Sequence, residues 1–358
     1  MLNEVGLFES CIWHSYNINT TLIQRMRQME REAYFDNAKL VLIFLVVFGH
    51  MIQPFIDDSR SLNTFYMWVY TFHMPAFIFL SGFFAKGSGN IKYIVRLAKK
   101  LLLPYIIFQL IYTGYYYFIG KASWQTDIFY PHWSLWFLFS LFSWHILLIV
   151  FKKLPPVLSI IIAVQMGIIV GYFSEVGHTY SLSRTIVFFP FFLTGYWLTK
   201  KQFMHIKHRF VKIASVIVMG VIAVAIYIAP EFNSGWLLAS KSYGDLGLPV
   251  HGGFARFLVY MTSTLMAISV LAWLPKKRMR FTYLGERTLY VYLLHGFFIQ
   301  YFREANMFQM NDIFDFIGLA VLSALIVILL ASKPMVGMWQ PFIEGRATII
   351  RRVFRQRE

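Results

Sequence analysis

The feature that most constrains this chain is the recurrence of long apolar stretches. A helix needs about 17 to 25 mostly apolar residues to cross the hydrocarbon core of a bilayer. Because lipid offers the backbone no hydrogen-bond partner, such stretches must be helical. The sequence therefore predicts an all-α fold, a polytopic membrane helix bundle of about ten transmembrane helices. They cover 38–56, 63–85, 101–119, 134–151, 156–173, 184–199, 211–229, 254–274, 282–302 and 313–332.

The placement of lysine and arginine predicts the orientation of the bundle. Basic residues concentrate between alternate spans, for example at 92–100, 200–212 and 276–280, whereas the opposite side holds few of them and several acidic residues. By the positive-inside rule, the basic side and both termini are cytoplasmic. The net charge of +16 is thereby explained by topology, so it does not indicate a nucleic-acid partner.

Composition agrees with a membrane protein and excludes a soluble one. Hydrophobic residues make up 58% of the chain and charged residues only 14%, whereas a soluble domain has about 25% charged residues. The single cysteine, Cys11, allows neither a disulfide framework nor a cysteine metal site. We divide the chain into a cytoplasmic lead-in at 1–33, a membrane domain at 34–332 and a basic cytoplasmic tail at 333–358.

Two ionisable residues interrupt the first apolar stretch, YFDNAKLVLIFLVVFGHM at 34–51. Lys39 lies at its cytoplasmic end, and His50 follows about 16 Å further along the helix axis, rotated by only about 20°. Both side chains are therefore predicted to lie on nearly one face. Lys39 alone could be explained by a side chain that extends to the cytoplasmic interface. His50 is harder to explain so, because Gly49 and Gln53 extend a polar patch around it.

Other histidines also fall inside predicted spans. His73 lies in the second span and His295 in the ninth; each could instead be a structural side chain bonded to a neighbouring helix. H-E-x-x-H spacing does not occur, and the H-x-x-H pair His205 and His208 falls in a predicted cytoplasmic connection where solvated side chains are the default, so we predict no metal site. The absence of a G-x-S-x-G elbow and of a Walker loop argues against a serine hydrolase and against ATP-driven transport. A histidine base beside a cationic entrance suits acyl transfer from a phosphate-bearing donor.

Five stretches in order carry a family resemblance. They are YFDNAKLVLIFLVVFGHM (34–51), FHMPAFIFLSGFF (72–84), HWSLWFL (132–138), SRTIVFFPFFLTGY (183–196) and LGERTLYVYLLHG (284–296). The chain resembles the acyltransferase type 3 family of integral membrane O-acyltransferases, in particular the branch grouped with fucose 4-O-acetylase. The resemblance covers about 34–332, which is then the membrane acyltransferase domain. It implies a cytoplasmic acyl-CoA donor, usually acetyl-CoA, and no permanently bound cofactor.

The resemblance also implies roles for particular residues. The family has a basic residue, ten intervening residues and a histidine in its first helix, and Lys39 and His50 fit this pattern. Its R-x-x-R motif corresponds to Arg96-Leu97-Ala98-Lys99, with lysine in place of the second arginine; a solvated positive-inside cluster is the alternative. Many members carry an additional extracytoplasmic domain at the C-terminus. We therefore expect any such partner transferase to be a separate protein.

A mechanism can be placed on this arrangement. Lys39, Arg96, Lys99 and Lys100 are predicted to neutralise the donor phosphates at the cytoplasmic mouth. The extended arm of the donor would then bring the thioester to His50, which acts as general base on an acceptor hydroxyl; transient acylation of His50 is the alternative. The expected acceptor is a hydroxyl of a cell-surface glycan or a lipid-linked sugar, so the expected partners are this acceptor and membrane lipid, in a bacterial cytoplasmic membrane.

Several further residues are candidates for the pocket around the acceptor. Arg184 is expected to bind a polyhydroxylated or anionic acceptor, or to anchor its helix at the interface. Trp133 and Trp136 can stack on a sugar or belong to an interfacial aromatic belt. Asp57 and Asp58 can orient a sugar or form a solvated loop pair.

Two other classes of function fit the same residues. The intramembrane polar groups could line the path of an exporter or flippase for a glycan or a lipid-linked sugar, for which internal inverted repeats would be the sign. We detect no such repeat. The protein could also be a membrane scaffold with structural histidines.

Overall fold

The computed structural model describes residues 33–87, 91–121, 130–174, 181–229 and 232–345. Within these ranges all regular structure is helical and there is no strand. Cys11, the predicted lead-in up to residue 32 and the tail from residue 346 lie outside them. The helices are α1 (Ala33–Phe55, with a 3₁₀ end at Gln53–Phe55), α2 (Arg60–Tyr70), α3 (His73–Phe84), α4 (Ile91–Phe118), α5 (Trp136–Phe151), α6 (Pro156–Ile169, followed by a 3₁₀ turn Val170–Tyr172), α7 (Leu182–Trp197), α8 (Lys200–His205), α9 (Arg209–Ile228), α10 (Gly235–Leu238), α11 (Gly252–Trp273), a 3₁₀ helix Thr282–Arg287, α12 (Thr288–Glu304), α13 (Ile313–Leu330) and α14 (Lys333–Glu344).

Five helical segments in the described ranges are long and apolar enough to cross a membrane: Ala33–Phe55, Arg60–Phe84, Arg209–Ile228, Gly252–Trp273 and Ile313–Leu330. This supports the predicted all-helical membrane protein. The remaining predicted spans also coincide with helices, but α5 and α7 have 16 residues each. At 1.5 Å per residue they are about 24 Å long, which is shorter than the hydrocarbon core of about 30 Å.

The outward faces of the long helices are apolar. On α9, Val216, Ile217, Val221 and Val224 are all more than half exposed. Runs of exposed aliphatic side chains are destabilising in water but are expected where a helix contacts lipid tails. The surface pattern thus agrees with the composition.

The second predicted span is interrupted. α2 ends at Tyr70, and α3 begins at His73 after a turn at Thr71 and Phe72. Pro75 then lies in the first turn of α3, where its missing N–H removes no helical hydrogen bond. The interruption places Tyr70 and His73 on either side of one turn, with their rings 4.4 Å apart.

Close packing of α3 against α7 stabilises the centre of the bundle. A Cβ built on Gly82 would lie 1.9 Å from the backbone oxygen of Phe192, so only glycine allows this approach. Small residues at helix crossings are typical of membrane bundles, because association there depends on van der Waals packing.

The N-terminal end of α1 is fixed by a buried amide. The side-chain nitrogen of Asn37 donates to the carbonyls of Pro275 and Lys277, both at 2.9 Å. Its oxygen accepts from the hydroxyl of Thr282 at 2.6 Å. The start of α1 is thereby tied to the connection between α11 and α12.

The segment predicted as a basic tail begins with the helix α14, which packs against α4, α12 and α13. Val336 and Ile343 of α14 belong to the main hydrophobic core. The described part of the tail is therefore continuous with the bundle.

Candidate active site

His50 lies in the last turns of α1, at the centre of an aromatic and imidazole cluster. Its ring centroid is 4.3 Å from that of Trp133 and 5.8 Å from that of His295. Its Nδ1 lies 3.4 Å from the hydroxyl of Tyr70. Gln53–Phe55 continues α1 as a 3₁₀ turn with Pro54 in it. The fold therefore brings together His50 and two of the predicted pocket residues from distant parts of the sequence.

His295 has a defined hydrogen-bonding state. Its Nδ1 is 2.7 Å from the carbonyl of Tyr292 and 3.1 Å from that of Val291. Carbonyl oxygens only accept, so Nδ1 carries the proton. In the neutral ring, Nε2 then bears a lone pair, and this atom is buried without a partner among the described residues. An unpaired buried acceptor costs about 1–3 kcal/mol.

Trp133 lies against both imidazoles and is held in an unusual conformation. Its φ of +36° is in the left-handed region that few non-glycine residues adopt. A Cβ on Gly296 would lie 3.0 Å from the Trp133 ring and 2.4 Å from the hydroxyl of Tyr112. Glycine next to His295 is therefore what allows Trp133 to approach.

The loop that carries Trp133 is anchored to α4. The backbone N–H of His132 donates to the side-chain oxygen of Gln109 at 3.0 Å. Nε2 of His132 lies 2.8 Å from the hydroxyl of Thr113. Burial lowers the pKa of His132. These contacts fix the loop and thereby position the indole of Trp133. The orientation of this loop could not be predicted from the sequence.

Arg303, on the last turn of α12, completes the cluster. Its Nη2 donates to the backbone carbonyl of His50 at 2.5 Å and to the side-chain oxygen of Gln53 at 3.0 Å. Its guanidinium lies 5.7 Å from the centre of the Trp133 ring. Our sequence analysis did not select Arg303. The available signal was that it is one of the few basic residues on the side that the positive-inside rule depletes.

A cavity of about 280 Å³ opens beside His50. Its walls come from the end of α1, the end of α12 and the loop after it: His50, Met51, Gln53, Pro54, Phe55, Ile299, Phe302, Arg303, Asn306 and Phe308. The walls are mostly apolar, with an imidazole, a guanidinium and two amides. Such a pocket can hold one small group, such as a single sugar ring, next to the histidine.

A larger cavity of about 920 Å³ lies on the other side of the end of α1. Asp57 lines it together with Arg60 and Asn63 of α2 and Asn233 and Ser234 near α10. Asp58 is exposed, and among the described residues it makes no contact with the cluster. The two aspartates therefore lie near this cavity and the surface, without contact to His50.

His73 joins the cluster only through a neighbour. It is 3% exposed, its Nδ1 lies 3.0 Å from the carbonyl of Val69, and its ring packs against Tyr70. Tyr70 in turn faces His50. His73 is thus one residue removed from the candidate base.

Arg184, in the first turn of α7, and Trp136 contact each other. The guanidinium lies 5.2 Å from the centre of the indole ring, and its Nε donates to the carbonyl of Leu238 at 3.2 Å. Arg184 does not line the 280 Å³ cavity.

The predicted donor-binding residues lie at the other end of α1. The ammonium of Lys39 forms an ion pair of 2.7 Å with Asp36. Arg96, Lys99 and Lys100 are exposed on α4. In the described ranges, no hydrogen bond or ion pair joins any of these three to Lys39. A donor that used all four would have to bridge them itself.

Within the described part of the chain, no three His, Cys, Asp or Glu side chains are close enough together to hold a metal ion. The residues around His50 offer proton transfer and positive charge. Both can assist acyl transfer, the first by removing the proton of the attacking hydroxyl and the second by stabilising developing negative charge.

The family to which the chain belongs follows from comparison with known proteins. The family model described as "Acyltransferase domain" (Acyl_transf_3) matches residues 32–332. The chain belongs to this acyltransferase family, and the resemblance noted in its sequence is confirmed. The matched segment contains every residue of the cluster around His50.

Two relatives extend the comparison. The nodulation protein NolL of Sinorhizobium fredii (strain NBRC 101917 / NGR234) is 25% identical over 317 residues, which cover 80% of this chain and 82% of the relative. NolL of Mesorhizobium japonicum (strain LMG 29417 / CECT 9101 / MAFF 303099) is 36% identical over 91 residues, 23% of this chain and 24% of the relative. No solved structure matches the chain.

Proposed function

We propose that this acyltransferase moves an acyl group, in the first place acetyl, from cytoplasmic acyl-CoA to a hydroxyl of a cell-surface glycan or lipid-linked sugar. The observation that carries the proposal is that His50 lines a cavity of about 280 Å³ within a cluster that contains a second imidazole and a guanidinium. The proposal includes a bundle of about ten spans in a bacterial cytoplasmic membrane, with both termini cytoplasmic.

In this proposal, His50 is the general base. With its Nδ1–H directed to the hydroxyl oxygen of Tyr70, Nε2 is left with a lone pair to accept the proton of the acceptor hydroxyl. The acceptor oxygen attacks the thioester carbonyl as its proton moves to Nε2. The imidazolium then returns the proton to the departing thiolate. Proton transfer of this kind contributes about 10²–10⁴ to the rate.

The donor enters from the end of α1 that carries Lys39. The eleven-residue step from Lys39 to His50 corresponds to about 16 Å along the helix, a length suited to the extended arm of CoA. The phosphates would compete with Asp36 for the ammonium of Lys39, since the two are paired at 2.7 Å. Arg96, Lys99 and Lys100 are exposed on α4 and supply further positive charge for them.

A separate extracytoplasmic transferase is the proposed partner for later steps. The acceptor itself occupies the cavity beside His50. Ile299, Phe302 and Phe308 on its walls offer apolar surface for the face of a sugar ring, while Gln53 and Asn306 offer amides for its hydroxyls. Few polar groups on a mostly apolar wall are typical of small-molecule sites.

The test uses the purified full chain in lipid with labelled acetyl-CoA. The acceptor is the combined surface glycan and lipid-linked sugar fraction from cells that lack the gene. We expect the wild type to transfer label and His50→Gln to lose at least about 10²-fold in rate. His145→Gln is the matched control, because His145 is also a buried histidine on an apolar helix, bonded to the carbonyl of Leu141 at 2.8 Å, and lies outside the cluster.

Two outcomes would contradict the proposal. If the wild type transfers no label to the fraction, the protein does not act on it as proposed. If in addition the sugar crosses sealed vesicles only when the protein is present, the exporter is the better description. Equal transfer by wild type and His50→Gln would reject His50 as the base.

A further inference from the structure

The guanidinium of Arg303 is a partly buried charge without an acidic partner. In the described ranges, the ion pairs are Lys39–Asp36, Lys121–Glu304 and Arg278–Glu286, and none includes Arg303. Its neighbour Glu304 is bound to Lys121 at 2.8 Å. Removal of a charge from water is unfavourable unless another group compensates it. The structure thus keeps a positive charge here that its own side chains do not neutralise.

The hydrogen-bonding capacity of Arg303 is also only partly used. Both described hydrogen bonds of Arg303 come from Nη2, which donates to the carbonyl of His50 and to the side-chain oxygen of Gln53. Nε is buried with no partner among the described residues, and no described hydrogen bond uses Nη1. A guanidinium has five N–H donors. The N–H groups of Nε and Nη1 therefore have no acceptor among the described residues.

The unneutralised charge lies where the chemistry is expected. Arg303 and His50 line the same cavity of about 280 Å³, and none of its wall residues is acidic. The guanidinium of Arg303 also lies 5.7 Å from the centre of the Trp133 ring, which packs against the imidazoles of both His50 and His295. A ligand group that lies in this cavity against His50 would therefore meet Arg303 as well.

We propose that Arg303 is a second catalytic residue, whose free Nη1 stabilises the negative charge that develops on the acyl carbonyl oxygen. The inference rests on the proposed acyl transfer. As the acceptor oxygen bonds to the carbonyl carbon, its proton passes to His50 and the π pair moves onto the carbonyl oxygen, opposite the guanidinium. On collapse, this pair re-forms the C=O bond, the C–S bond breaks, and the CoA thiolate takes the proton from His50.

A positioning role alone would predict different behaviour. Through Nη2, Arg303 also holds the carbonyl of His50, so its loss could displace the base without any role for its charge. A displaced base lowers the rate but does not change which donor analogues bind. Recognition of a tetrahedral anion at the carbonyl position depends on the charge itself.

The experiment therefore combines kinetics with analogue binding. In the labelled-acetyl-CoA assay we expect Arg303→Gln to lower kcat about 10²–10³-fold, the range for removal of one oxyanion donor, with KM for the donor little changed. Arg303→Lys keeps a point charge and should retain more activity than Arg303→Gln. The probes for binding are the S-methylphosphonyl ester of CoA, in which an anionic tetrahedral phosphorus replaces the carbonyl carbon, and the neutral S-ethyl-CoA.

We expect the wild type to bind the phosphonate analogue at least about tenfold more tightly than the ethyl analogue, and Arg303→Gln to lose this preference while it binds S-ethyl-CoA normally. Arg256→Gln is the matched control. Arg256 is likewise a buried arginine that donates to a carbonyl, that of Trp236 at 2.6 Å, and has an unpartnered Nε, but it lies away from His50.

The possible results separate the two proposals. Label transfer at equal rates by wild type and Arg303→Gln rejects the role of Arg303 and leaves the acyltransferase intact. An unchanged preference for the phosphonate in Arg303→Gln does the same. No transfer by the wild type, together with no binding of either analogue, rejects both. If Arg303→Gln does not fold, Arg303→Met replaces it in both assays: loss of the phosphonate preference in a folded Met variant supports the role of the charge, and an unchanged preference rejects it.

Discussion

Nη2 of Arg303 donates a hydrogen bond of 2.5 Å to the backbone carbonyl of His50, across 253 residues of sequence. The carbonyl belongs to the last turn of α1, where a helix leaves its oxygens without N–H partners. One guanidinium thus caps the helix that carries the candidate base and reaches the cavity beside it. The relative placement of α1 and α12 is part of the site.

Replacement of Gly296 is expected to disturb the cluster. In Gly296→Ala, the new Cβ would lie 2.4 Å from the hydroxyl of Tyr112 and 3.0 Å from Trp133, so one of them must move. We expect a loss of about 1–3 kcal/mol in stability and a fall in acyl transfer, measured by thermal denaturation and the labelled assay.

Gly318→Ala is the matched control, since Gly318 lies in α13 and a Cβ there meets no atom within 4 Å. Alanine in place of an exposed helical glycine should be neutral or stabilising by up to about 1 kcal/mol. Equal stability losses in both variants would show that the approach of Trp133 does not depend on Gly296.

His295 is expected to matter through Nε2. His295→Phe keeps a planar ring but removes the buried lone pair and the Nδ1–H. Because it also relieves an unpaired acceptor worth about 1–3 kcal/mol, we expect a fold of similar or greater stability together with a fall in kcat of about tenfold or more. Stability and kcat that fall in parallel would instead indicate a purely structural histidine.

Lys39 is expected to act on the donor alone. In Lys39→Met, the loss of one charged contact to a phosphate should raise KM for acetyl-CoA roughly tenfold with little change in kcat. Asp36→Asn should lower KM, because it releases Lys39 from its ion pair. Steady-state kinetics over a range of donor concentrations measures both effects.

Lys153→Met serves as its comparison, since Lys153 is an exposed lysine on the same predicted side of the membrane. If Lys153→Met raised KM as much as Lys39→Met, the effect would come from the general surface potential and not from a site at Lys39.

Acidification is expected to destabilise the loop that carries Trp133. Burial lowers the pKa of His132 below its ordinary value of 6.5. As the pH falls through 6.5, the unfolded chain binds the proton before the folded protein does, so the free energy of unfolding decreases. Above this pH both states are neutral at His132, and the residue adds no pH dependence.

Thermal denaturation at intervals between about pH 7.5 and about pH 5 measures this effect. His132→Gln removes the titrating group, and its unfolding temperature should fall less steeply over the same interval. Parallel curves for wild type and His132→Gln would mean that the pKa of His132 is the same in both states.

The sequence was sufficient to predict the all-helical class and the position of the first helix. Apolar length predicted the spans, and a polar patch around His50 distinguished it from a residue of a simple lipid-facing helix. The approach of His295 and Trp133 to His50 could not be predicted in this way, because it depends on how α12 and the 130–135 loop pack against α1. Periodicity within one helix carries no information on such crossings.

Arg303 and Lys39 illustrate two further limits. A lone arginine at a helix end is common in membrane proteins, and only its hydrogen bond to His50 distinguishes it. Conversely, the pairing of Lys39 with Asp36 one turn earlier could have been inferred from their spacing.

Asn37 couples the position of His50, at one end of α1, to the connection between α11 and α12 at the other end. Its amide fixes α1 to the carbonyls of Pro275 and Lys277 and to Thr282, and an unbroken helix is stiff along its axis. Any shift of the 275–282 connection is therefore transmitted along the helix axis to His50. A ligand that moves this connection would displace the imidazole against Trp133 and the cavity, some three helical turns away.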